Sequence, residues 1–71
     1  MLDKPSLSSR EQQCLEEIAR GKRVQAISEA LALAPVTVEL HLKNARIKLG
    51  ASTLPEAVAI ALQLRAINPY K

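Results

Sequence analysis

The apolar positions of this chain recur at helical spacing almost from end to end. Cys14, Leu15, Ile18 and Ala19 form a first stripe. Val24, Ile27, Ala30 and Leu31 form a second, and Val38, Leu42, Ala45 and Leu49 a third. Residues three or four apart share one face of a helix, so each run predicts a helix with one buried side. A fourth run, Ala57 to Leu62 followed by Leu64 and Ala66, is apolar nearly all round, broken only by Glu56, Gln63 and Arg65. No window alternates with the period of two that marks a strand. The expected fold class is all-α, four helices in one compact domain.

Start and stop signals bound these helices. Ser8 with Glu11 three residues later makes a capping box, and Thr53 with Glu56 makes another. Gly21 and Gly50 suit the left-handed residue that closes a helix. Pro35 and Pro55 are tolerated in a first turn, where the missing N–H has no partner to lose. The helices are therefore expected from the Ser8 cap to about Arg20, from Val24 to Leu31, from Pro35 to just before Gly50, and from Leu54 to Ala66. Residues 1–6 read as a linker or an artificial start, 7–67 as the domain and 68–71 as a tail.

Only a few residues separate helices two and three, and the third is basic. Two helices and a tight turn are the parts of a helix-turn-helix, whose second helix enters the major groove of DNA. Val36, Glu39, Leu40, Lys43 and Ile47 point away from the buried stripe of helix three. The N-terminal ones, Val36, Glu39, Leu40 and Lys43, are expected to meet base edges. Lys43 can donate to guanine O6 and N7 or to a phosphate, while Val36 and Leu40 suit thymine methyls. Glu39 has two readings: it accepts from cytosine N4 and sets specificity, or it pairs with Lys43 one turn on for a few tenths of a kcal/mol.

Phosphate contacts are expected from Lys22, Arg23 and Gln25, where cations and backbone N–H groups meet at a helix start. Thr37, His41, Asn44, Arg46 and Lys48 flank the reading face and complete that set. Helix four has an apolar stripe to spare. Leu54, Ala57, Val58, Ala61, Leu62 and Arg65 are expected to form a homodimer surface, with Ala57, Ala59 and Ala61 admitting a second helix closely. A two-fold dimer places one recognition helix in each half of a pseudo-palindromic double-stranded site. The competing readings are a neighbour domain covering helix four and a protein partner, rather than DNA, on the outer face of helix three.

The totals add limits. Seventy-one residues allow one domain, whose core alone supplies only a few kcal/mol. A net charge of +3 and a pI near 9.4 lean toward polyanionic partners. One cysteine, Cys14, excludes an internal disulfide and fits a reducing cytoplasm. With Tyr70 as the only aromatic, base stacking on single strands has no platform. No run is long and apolar enough for a membrane, and no signal-peptide core is present. His41 is the only histidine, no nucleophile is paired with a base, and no glycine-rich phosphate loop occurs. Metal, cofactor, small-molecule and enzymatic readings therefore have no residues to carry them.

Leu7-Ser8-x-Arg10-Glu11, Leu15-x-x-Ile18-Ala19-x-Gly21, Ile27-x-x-x-Leu31, Thr37-Val38-x-x-His41-Leu42-x-Asn44-Ala45 and Lys48-Leu49-Gly50 together resemble the LuxR-type DNA-binding domain. The likeness covers residues 7–67, and its wording around Asn44-Ala45-Arg46 and Thr53 to Val58 is most like quorum-sensing members. It implies a four-helix domain with helices two and three as the helix-turn-helix and helix four as the dimer contact. It further implies a bacterial transcription regulator, cytoplasmic and nucleoid-associated when bound, with RNA polymerase as a further partner. In the family this domain usually follows a sensory domain, and Ala66-Ile67 with its short tail looks like a natural C-terminus. The chain is then a cut fragment or a stand-alone protein that heterodimerises with a full-length regulator and modulates it. Four departures stand out. Arg23 and Ala34 replace the usual capping residues before helices two and three, Leu54 replaces an arginine, and Glu39 stands where many members carry a cation.

Overall fold

All four helices form: α1 (Ser9–Ala19), α2 (Val24–Leu31), α3 (Pro35–Lys48) and α4 (Leu54–Gln63). The computed structural model describes residues 6–70, among which there is no strand. The linker expected over residues 1–6 lies outside the described residues except for Ser6, as does Lys71 of the tail.

The two acidic caps differ in detail. At α1 the box closes both ways: Ser8 Oγ accepts from the Glu11 N–H at 3.1 Å, and Glu11 Oε1 accepts from the Ser8 N–H at 3.0 Å. At α4, Thr53 Oγ1 accepts from the Glu56 N–H at 3.2 Å, but Glu56 reaches one residue further back, to the Ser52 N–H at 2.7 Å. The second box is thus half a box with a longer return. The first residues of α2 and α3 follow Arg23 and Ala34, neither of which caps with its side chain. That matches the two departures noted in the sequence.

Every helix ends in the same way, with a left-handed residue between two backbone bonds that reach back into the last turn. Around Gly21 (φ 89°) these are Gly21 N–H to Ile18 O and Lys22 N–H to Glu17 O. Ala32, Gly50 and Arg65, at φ 56°, 69° and 56°, repeat the pattern. This satisfies carbonyls that the helix leaves unpaired. It also corrects the end of α4, which stops at Gln63 rather than Ala66 because Arg65 turns left-handed without being glycine.

The stripe Val38, Leu42, Ala45 and Leu49 is wholly buried and makes α3 the central element, touching α1, α2 and α4. Cys14 and Leu15 of α1 and Ile27 of α2 complete the innermost layer. Each such aliphatic side chain contributes about 1.5–3 kcal/mol on leaving water. Burial also pushes the Cys14 thiol up from its ordinary value, which leaves it a core hydrophobe rather than a nucleophile. One position of α2 differs from expectation. Ala30 is exposed, and Ser28 takes the inward place, donating its hydroxyl to the Leu33 carbonyl in the turn before α3.

Residues 67–69 are strapped to α1. Ile67 is buried, Glu16 Oε2 accepts from the Asn68 N–H at 3.0 Å, and Arg20 Nε donates to Pro69 O at 2.9 Å. These partners lie about fifty residues away in the chain, so the packed unit runs past residue 67.

Candidate nucleic-acid interface

A three-residue turn, Ala32-Leu33-Ala34, joins α2 to α3, so the helix-turn-helix expected from the sequence is present. Its second helix shows an outer side that nothing in the domain covers. Val36 is 70% exposed, Leu40 54% and Ile47 56%, and Glu39 and Lys43 are exposed beside them. The four expected base-reading residues Val36, Glu39, Leu40 and Lys43 therefore share the first turns of one solvent-facing side. Ile47 continues that side about 16 Å along the axis from Val36.

Glu39, Lys43 and Arg46 form one flank of this side. An open groove of about 460 Å³ runs along it, bounded by Val24 at the start of α2 and by Thr53 and Leu54 at the start of α4. Sequence reading did not place Val24 or Thr53 beside the reading face. No local pattern signals it, because the groove arises only when the α3–α4 loop folds back. Arg46 fastens that loop, donating from Nη1 to Ala51 O at 2.9 Å. Glu39 and Lys43 stand one turn apart yet form no ion pair among the described residues.

The expected phosphate contacts divide into two groups. Arg23 is exposed and carries no ion pair among the described residues. Gln25 is exposed and donates to Glu29 Oε2 at 3.4 Å. Thr37, His41 and Asn44 are half-buried on the other flank of α3. The remaining three are engaged inside the domain. Lys22 Nζ lies 2.9 Å from Glu17 Oε1, and Arg20 also meets that carboxylate. Lys48 Nζ lies 2.8 Å from Glu11 Oε1 and 3.4 Å from Ser6 O. Arg46 holds the loop as described.

These pairs shift their acids. Lys22 bonded to Glu17 holds its carboxyl below the usual value against the opposing effect of burial, with Arg20 adding to it. At Glu11 burial is the largest single effect and raises the value, but Lys48 together with the Ser8 N–H and hydroxyl outweighs it and the net shift is downward. Among the described residues no three His, Cys, Asp or Glu side chains gather as metal ligands, and no helix is long and apolar enough to cross a membrane.

The dimer surface expected on α4 requires correction. Ala57 and Ala61 are 0% exposed, because they are the side of α4 that packs onto α1 and α3. Leu54 is half-buried and lines the α3 groove. Val58 and Leu62 are half-buried at the edge of that packing side, Arg65 is exposed, and Ala59 and Gln63 face outward.

Comparison with known proteins gives consistent results. The family model described as "Bacterial regulatory proteins, luxR family" matches residues 5–61. The "Probable transcriptional regulatory protein NarL" of Mycobacterium tuberculosis is 41% identical over 64 residues, covering 90% of this chain and 30% of that protein. The "HTH-type quorum sensing-dependent transcriptional regulator VjbR" of Brucella ovis is 45% identical over 62 residues, covering 87% of this chain and 24% of its own length. The chain thus spans under a third of these relatives. The solved structure of the transcription factor GerE superposes with a TM-score of 0.83 at 28% identity, covering 89% of this chain and 94% of that one.

Proposed function

Because the chain belongs to the luxR family of bacterial regulatory proteins, as a DNA-binding domain of transcription regulators, we propose that it reads a specific double-stranded site with the outer side of α3. The observation that carries this reading is the exposed run Val36, Glu39, Leu40 and Lys43 at the start of the second helix of the helix-turn-helix. Side chains there reach base edges in the major groove. Arg23, Gln25, Thr37, His41 and Asn44 border the run and supply phosphate contacts. The uncapped start of α2 adds backbone N–H donors to them. Lys22, Arg46 and Lys48 brace the scaffold instead, through Glu17, Ala51 and Glu11.

The domain works as the effector of a bacterial regulator, in the cytoplasm and on the nucleoid. Two copies pair across the side of α4 left outside the core, with Val58 and Leu62 at its edge, Ala59 and Gln63 at its centre and Arg65 beyond the helix. They place two α3 helices on a pseudo-palindromic site, and RNA polymerase meets the bound dimer.

Fluorescence anisotropy on a mixed-sequence duplex, titrated at several salt concentrations, tests the reading. Log affinity is expected to fall linearly with log salt, with a slope of about −0.9 for each phosphate neutralised. Folded protein that binds no duplex even at low salt overturns it.

A further inference from the structure

We propose that Glu39 is the specificity-determining residue of the reading side, and that its carboxylate accepts the N4 amino group of a cytosine in each half-site. The inference rests on the DNA-binding reading above and deepens it.

Six glutamates occur in the chain. Five are held by the fold: Glu11 by Ser8 and Lys48, Glu16 by Asn68 and Gln12, Glu17 by Lys22 and Arg20. Glu29 accepts from Gln25, and Glu56 caps at Ser52. Glu39 alone has no hydrogen bond or ion pair among the described residues. Lys43 stands at the i,i+4 spacing that ordinarily pairs on a helix, yet the two do not meet. The carboxylate is therefore presented outward with its acceptor sites open.

An outward carboxylate on a DNA-facing helix repels phosphates within a screening length of about 10 Å at 0.1 M salt. It lowers affinity for every sequence unless a base donates to it. In the major groove only cytosine N4 and adenine N6 donate. Adenine sets its N7 acceptor beside N6, against a second carboxylate oxygen, whereas cytosine presents N4 without that neighbour. The guanine opposite offers O6 and N7, and Lys43 one turn on can donate to them. An acid and a base side by side on α3 thus match the two halves of a C·G pair or of adjoining pairs. Val36 and Leu40, which have no polar capacity, lie beside them and favour thymine methyls nearby.

The test is selection of duplexes from a randomised pool by this 71-residue chain at low salt, run beside Glu39→Ala and Glu39→Gln, with thermal unfolding to show that the variants fold. The wild-type chain is expected to enrich a cytosine at one fixed position, and replacing that base should weaken binding about ten- to hundred-fold. Glu39→Ala should lose that preference while its affinity for unselected duplex rises. Glu39→Gln should move it toward adenine, whose N6 and N7 a glutamine pairs together. A selected motif that Glu39→Ala leaves unchanged overturns the role of Glu39 while DNA binding stands. A wild-type chain that binds no duplex overturns the underlying reading and this inference with it.

Discussion

α3 and α4 distribute their apolar surface in opposite ways. α4 is the more apolar sequence, yet its side chains are largely absorbed: Ala57 and Ala61 are core, and Val58, Ile60 and Leu62 are half-buried. α3 mixes charge with apolar residues, buries one stripe, and leaves Val36, Leu40 and Ile47 in water on the other. Total hydrophobicity therefore does not locate an interaction surface. What matters is whether the stripe turned away from the core is apolar, and in this domain that is so of α3. A contiguous exposed apolar patch marks a contact site more reliably than scattered residues do.

The sharpest way to break this contrast is to shave the two sides of α3 separately. Leu42→Ala on the inner side opens a cavity in a small core and should cost about 3 kcal/mol, enough to populate unfolded chains at room temperature. Leu40→Ala on the outer side should change stability by less than about 0.5 kcal/mol while weakening duplex binding. Urea unfolding followed by circular dichroism, beside anisotropy, separates the two effects. Equal destabilisation by both would show that the outer side is not free.

Next in size is α4. Ala57→Leu forces extra volume into packed space and should destabilise the monomer by about 2 kcal/mol. Had Ala57 lain on a dimer surface, the larger side chain would instead alter association and leave the monomer's stability alone. Sedimentation velocity and urea unfolding of the same variant decide between these outcomes.

The limits of sequence reading follow the same division. The starts of α1, α3 and α4 are legible because Ser8, Pro35, Thr53 and Pro55 act on their own neighbours, and local chemistry survives folding, whereas the start of α2 after Arg23 has no such side-chain signal and follows from its apolar spacing alone. The buried stripe of α3 was legible because its polar partners fix its orientation. α4 has only Glu56 and Gln63, at its two ends, to orient it, so Ala57 and Ala61 are expected outward from the sequence but face inward. Its end was misplaced because Arg65 does the work usually given to glycine. The engagement of Lys48 with Glu11, 37 residues away, and the strapping of Asn68 to Glu16 depend on tertiary contacts that no local pattern encodes.

The Glu11–Lys48 pair ties the start of α1 to the end of α3, and it gives the fold a pH dependence. Glu11 and Glu17 both sit below the ordinary value of 4.5. A carboxyl depressed in the fold stays ionised there at a pH where the unfolded chain is already taking up protons. Its stabilisation is therefore complete above about pH 4.5 and is lost as the pH falls through the folded values. Urea midpoints should be flat from pH 7 to 5 and drop below that. Lys48→Met should lower stability at pH 7 by about 1 kcal/mol and shrink the acid drop, because Glu11 loses the cation that holds it ionised. Its effect on the salt slope of duplex binding should be small, since Lys48 is spent on Glu11. A slope reduced by a full phosphate would show that the lysine leaves Glu11 on DNA.

The smallest expected effect concerns the turns that set α3 and α4 in place. Ala32 leads into α3 and Arg65 follows α4, and both are left-handed at φ 56° without being glycine. An alanine held there pays about 1–2 kcal/mol for its Cβ. Glycine removes that strain but widens the unfolded ensemble by roughly 0.4–1 kcal/mol. Ala32→Gly should therefore stabilise the domain by about 0.5 kcal/mol, a rise of a few degrees in melting temperature for a chain of this size. Arg65 has a partner of its own, so Arg65→Gly should gain less than Ala32→Gly. If Ala32→Gly loosened duplex binding while raising the melting temperature, the rigidity of the turn before α3, and not its strain energy, would be what the reading helix needs.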